Sequence, residues 1–102
     1  MPYGLDQKTV AKIRNILARH ENIDEAILYG SRAKGNYRPG SDIDLTLKGK
    51  GLNLEQLNMI NNELDDLLLP YTFDISIFHQ ISNPYLIEHI RRVGKIFYKR
   101  KA

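Results

Sequence analysis

One stretch constrains this chain more than any other: residues 28 to 45, LYGSRAKGNYRPGSDIDL. An apolar run, Ala26-Ile27-Leu28-Tyr29, reads as a short strand buried on both faces. It delivers Gly30 and Ser31 to a sharp turn that opens a helical segment, where free backbone N–H groups can receive an anion. After Ser31 and ten intervening residues the chain carries Asp42 and Asp44, two apart in a second strand, so their carboxylates share a face. A phosphate cradle beside paired carboxylates is what metal-assisted phosphoryl or nucleotidyl transfer requires. A Walker-type loop fits less well. Gly30 and Gly35 have its glycine spacing, but Asn36 and Tyr37 stand where lysine and serine or threonine belong.

The surrounding elements are legible in order. Asp6 caps a helix over residues 6 to 19, with Val10, Ile13 and Leu17 at helical spacing. Pro39-Gly40 marks a turn in the polar loop 36 to 41. Residues 42 to 48 alternate: Ile43, Leu45 and Leu47 on one side, Asp42, Asp44 and Thr46 on the other. Aspartate is disfavoured inside strands, so Asp44 implies a partner there, and a divalent cation supplies one. Asn53 caps a second long helix, with Gln56 in the capping-box position and an apolar stripe of Leu54, Leu57, Ile60, Leu64, Leu67 and Leu68. Residues 72 to 78 form a third strand that repeats the second one's pattern, Phe73, Ile75 and Ile77 opposite Asp74, Ser76 and Phe78. If the two strands are neighbours, Asp74 meets Asp42 and Asp44, and three carboxylates converge where two divalent ions can sit. Asn83-Pro84 opens a last helix, Gly94 stops it, and residues 95 to 99 suit a closing strand. His20, His79 and His89 have no metal-ligand spacing and read as ordinary surface or interface residues, His79 lying nearest the expected site.

The string GSRAKGNYRPGSDIDL resembles the minimal nucleotidyltransferase (MNT) branch of the polymerase-beta-like nucleotidyltransferase superfamily, over nearly the whole chain. The resemblance implies an α/β (α+β) fold: a short mixed, mostly antiparallel sheet with helices packed mainly on one face and the aspartates on the other. It implies that Asp42, Asp44 and Asp74 are catalytic and bind two Mg²⁺ ions. Gly30 and Ser31 would hold the NTP phosphates, with Arg32 and Lys34 as further phosphate contacts. It also implies a HEPN-domain toxin as partner. The chain would then be its antitoxin, moving AMP from ATP to a hydroxyl on the toxin. Two other readings stay open: a binding module that blocks its partner by occlusion, and a nucleotidyltransferase acting on a small molecule or an RNA end.

Composition sets limits on all of these. With 102 residues, one domain over 1–102 is expected, with no length for a second domain that would grip base or acceptor. There is no cysteine, which excludes disulfides, thiolate metal sites and thiol nucleophiles. No apolar run approaches a membrane span and the N-terminus lacks a signal-peptide pattern, so the expected location is the cytoplasm. A net charge of +3 and a pI of about 9.2 are weak grounds for nucleic-acid binding. Much of the excess lies at Arg91, Arg92, Lys95, Lys99, Arg100 and Lys101, read as a solvated basic tail.

Overall fold

The computed structural model describes residues 2–101; Met1 and Ala102, the ends of the expected domain, lie outside the described residues. Helix α1, Gln7–Ala18, starts at Asp6, whose carboxylate accepts the Thr9 amide at 2.7 Å. Its Val10, Ile13, Ile16 and Leu17 are buried, as their spacing requires. Strand β1, Glu25–Tyr29, leads into the short helix α2, Gly30–Lys34. Strand β2, Ile43–Lys48, follows the polar loop and pairs antiparallel with β1. Helix α3, Leu54–Asp65, then returns the chain to β3, Phe73–Ile77, which runs parallel to β2. A parallel neighbour needs a crossover connection, and α3 is that connection.

The sheet order is β3-β2-β1-β4, with β4, Lys95–Lys99, antiparallel to β1. The main core lies on one face, where Ala26 and Leu28 of β1 and Ile43, Leu45 and Leu47 of β2 meet Ile13, Leu17, Ile60 and Leu64 from α1 and α3. That much agrees with helices mainly on one face. The aspartate face, however, is not left bare. β3 and β4 are opposite edges, so the chain must cross the whole sheet between them. It crosses on the aspartate side through a 3₁₀ turn, Phe78–Gln80, and helix α4, Pro84–Val93. Ile90 buries Ile27 and Tyr29 there, flanked by Leu86 and Val93.

Four local expectations need correction. Phe78 opens the 3₁₀ turn rather than ending the third strand, and Asp42 precedes β2 rather than starting it. The stripe of α3 is shorter than its leucines suggest. Leu54 sits in the first turn and is 65% exposed, and Leu68 lies past the helix end at φ 54°, 90% exposed. Finally, the capping box is half made. Asn53 accepts the Gln56 amide at 2.9 Å, but the Gln56 side chain turns away to a reciprocal amide pair with Asn22, at 2.8 and 2.7 Å.

Candidate active site

The site forms where β1 ends and β2 begins. Register pairs Tyr29 with Asp44 across β1 and β2, and Asp44 with Asp74 across β2 and β3. The two aspartates are therefore directly opposite one another on adjacent strands, about 4.8 Å apart in backbone spacing. Asp42 lies just before β2 and is exposed. Asp42, Asp44 and Asp74 thus lie at one corner of the sheet, with β2 and β3 the neighbours that the expected convergence required.

Electrostatics shows that Asp44 senses the other two. Asp44 is pushed up to about 6, first by burial and then by the charges of Asp74 and Asp42. Tyr29, buried beside them, is also pushed above the usual phenol range. Burial dominates, and the Asp74 and Asp44 charges add to it. Next along the same face, Thr46 pairs in register with Ser76, and their hydroxyls are buried without a hydrogen-bond partner among the described residues.

Gly30 is placed where a side chain would be strained and would displace the Asp44 carboxylate. Its φ is +76°, and a Cβ there would lie 2.3 Å from Asp44 Oδ2. The carboxylate therefore rests against the bare α-carbon, and the first turn of α2 approaches the aspartates closely. The α2 amides of Gly30, Ser31 and Arg32 have no intrahelical acceptor. The Gly30 amide donates to His89 Nε2 at 3.1 Å. Ser31 is partly exposed and Lys34 exposed at this end of the sheet.

Arg32 does not join the site. It is 2% exposed, and its guanidinium is spent on backbone carbonyls. Nε and Nη2 donate to Ser41 O at 3.1 and 2.9 Å, Nη1 to Tyr3 O at 2.9 Å and Nη2 to Pro39 O at 3.3 Å. The rings of Tyr71 and Tyr37 lie 5.0 and 5.4 Å from its Cζ. It is a staple that ties the loop before Asp42 to the N-terminal segment, so its expected phosphate contact is withdrawn. A buried cation with no carboxylate partner survives only because carbonyls and aromatic faces replace its water.

The residue that sequence reasoning missed is His89, while His79 is exposed in the 3₁₀ turn. His89 stands edge-on to Tyr29, ring centroids 6.1 Å apart at 82°. A signal existed: Leu86, His89, Ile90 and Val93 share one helical face, so this histidine interrupts an inward apolar stripe.

The donor set suits a hard divalent cation: carboxylate oxygens, one of them raised by burial and then by the charges of the other two. The side chains are not drawn into a closed cage, since no group of three or more His, Cys, Asp or Glu side chains among the described residues is arranged to hold an ion.

Comparison with known proteins follows the same lines. The family model described as Polymerase beta, Nucleotidyltransferase matches residues 11–102. No curated protein matches the chain. Among solved structures, the chain is similar to a toxin-antitoxin with AMP-PNP, at TM-score 0.74 and 19% identity over 90% of this chain and 74% of that one. It is similar to a complex of the tri-AMPylated Shewanella oneidensis HEPN toxin with MNT antitoxin, at TM-score 0.71 and 17% identity over 94% and 74%. It is also similar to the toxin-antitoxin MntA-HepT, at TM-score 0.69 and 18% identity over 93% and 74%. At these identities the likeness is one of fold.

Proposed function

The chain belongs to the polymerase beta nucleotidyltransferase family, and from that membership we propose that it moves AMP from ATP onto a hydroxyl of a HEPN-type toxin, and so acts as its antitoxin. The observation that carries this reading is the facing pair Asp44 and Asp74, set against the Gly30 turn. The fold neighbours add the chemistry: one is a toxin-antitoxin with AMP-PNP, and another contains a tri-AMPylated HEPN toxin with its MNT antitoxin.

In this proposal the Ser31 and Arg32 amides, which follow the Gly30 turn, bind phosphate oxygens of the nucleotide, while the Gly30 amide itself is held by His89; Lys34 is near enough in sequence to add charge. Asp42, Asp44 and Asp74 would hold Mg²⁺, which supplies neutralisation of charge on the attacking and leaving oxygens. Asp74, exposed on the edge strand, takes the proton of the acceptor hydroxyl. Tyr29, held neutral by burial, keeps its proton beside the carboxylates. Pyrophosphate leaves as the new phosphoester forms. The whole chain acts as one catalytic domain in the cytoplasm. No helix among the described residues is long and apolar enough to cross a membrane.

The test is transfer of label from α-labelled ATP, with Mg²⁺ and a HEPN-type partner, compared with the Asp42→Asn/Asp44→Asn variant. Label on the partner that vanishes in the variant is the expected result. A stable complex that never takes label with any NTP would replace this reading with occlusion.

A further inference from the structure

Helix α2 is five residues long and opens at Tyr29, which offers no side-chain cap. So short a helix cannot hold itself together, because nucleation is unfavourable and too few bonds follow it. Its first amide is nevertheless satisfied, and by a residue 59 positions away: His89 Nε2 accepts from Gly30 N at 3.1 Å. For Nε2 to accept, the imidazole is neutral with its proton on Nδ1. The ring cannot swing freely. It stands edge-on to Tyr29, and the next residue, Ile90, is buried in the cluster that binds α4 to β1. The helix that crosses the aspartate face thus reaches back to pin the turn beneath it.

That turn carries two functions at once. Its positive φ and bare α-carbon seat Asp44, and its next amides, those of Ser31 and Arg32, point out of the helix start. We propose that His89 is a positioning residue of the nucleotide site. By accepting the Gly30 amide it holds the turn so that the following amides meet the phosphates and Asp44 keeps its seat. This rests on the nucleotidyltransferase reading above. An apolar residue would complete the α4 stripe equally well but could not accept a hydrogen bond, so the acceptor is the part that matters.

The substitutions that separate these roles are His89→Leu, which packs without accepting, and His89→Gln, which retains an acceptor. His89→Ala stands in if the leucine variant does not fold. Binding of AMP-PNP with Mg²⁺ is followed by calorimetry, and the Gly30 amide by NMR. The leucine variant is expected to bind about tenfold more weakly, the worth of one hydrogen bond, with a displaced Gly30 resonance and a melting temperature close to wild type. The glutamine variant is expected to recover most of the affinity. Equal affinity in all three proteins, tighter binding by the leucine variant, or a glutamine variant as weak as leucine would overturn the proposal while leaving the nucleotidyltransferase reading intact. Wild-type protein that binds no AMP-PNP would overturn both.

Discussion

At the scale of single residues, the site is built from groups that work against the fold. Asp44 has a folded pKa of about 6 against an ordinary 3.8, so the folded protein holds that proton more tightly than the unfolded chain. Stability from the neutral form is therefore complete below pH 3.8 and lost as pH rises through about 6. A shift of about two units corresponds to about 3 kcal/mol, and the half-open setting of Asp44 reduces that to about 1 kcal/mol by solvent screening. Asp44→Asn should then raise the melting temperature by several degrees at pH 7.5 without divalent cations, and leave it unchanged at pH 3.5. The same gain at both pH values would show that charge is not the cause. Arg32 predicts the opposite sign. Arg32→Met leaves the Ser41, Tyr3 and Pro39 carbonyls without their donor. We expect a loss of about 3 kcal/mol, read as a fall of roughly 12 °C or more in melting temperature. Arg32→Lys should not rescue it, because one ammonium cannot span three carbonyls in that fork. A methionine variant that melts like wild type but loses nucleotide affinity would return Arg32 to the phosphate site.

Between elements, polar side chains do work that periodicity does not report. The end of α1 and the start of α3 are joined by Gln56, which pairs with Asn22 and also reaches His20 Nδ1 at 3.1 Å. His20 Nε2 in turn meets Glu63 Oε1 at 2.6 Å. Gln56→Ala should cost about 2 kcal/mol in urea denaturation with an unchanged m-value, since it strands the part-buried His20 and Asn22 side chains in the turn between α1 and β1. A loss under 0.5 kcal/mol would mean that water replaces the glutamine without penalty. The sequence shows Gln56 at the third helical position and suggests a reciprocal cap, but the tertiary partner wins because Asn22 offers two hydrogen bonds. The same distinction separates what was legible from what was not. Strand alternation placed Asp44 and Asp74 each on the polar face of its strand, but that β2 and β3 are neighbours was only a condition of the reading, which the structure meets. Glycine, proline and asparagine marked the helix ends, and Asn53 and Asn83 do cap α3 and α4. Which face α4 covers could not be read, because it depends on β3 and β4 being opposite edges of the finished sheet. His89 and Arg32 were misjudged for the same reason. Their partners, the Gly30 amide and the carbonyls of Tyr3, Pro39 and Ser41, are brought to them by tertiary structure alone.

For the whole molecule, stability and function meet at one corner of the sheet. The large core of α1 and α3 lies on the far face and carries the fold. The smaller cluster under α4 supports the turn, and β2 and β3 present their carboxylates beyond it. A fold with a sound core can tolerate repelling charges at its rim, and the penalty falls when a ligand neutralises them. This makes Mg²⁺ a stability probe that needs neither acceptor nor turnover. At pH 7.5, saturating Mg²⁺ should raise the melting temperature of the wild-type protein, since an ion bound by the folded state alone stabilises it by mass action. It should leave Asp42→Asn/Asp44→Asn unmoved, because that variant has lost both the donors and the repulsion. At pH 4 the wild-type gain should shrink, because Asp44 is then mostly protonated and a proton must be expelled before an ion binds. The two proteins should therefore approach each other in stability either when Mg²⁺ is added at neutral pH or when pH is lowered without it. An equal rise in both proteins with Mg²⁺ would place the ion elsewhere on the surface. A wild-type rise that persists undiminished at pH 4 would separate metal binding from Asp44.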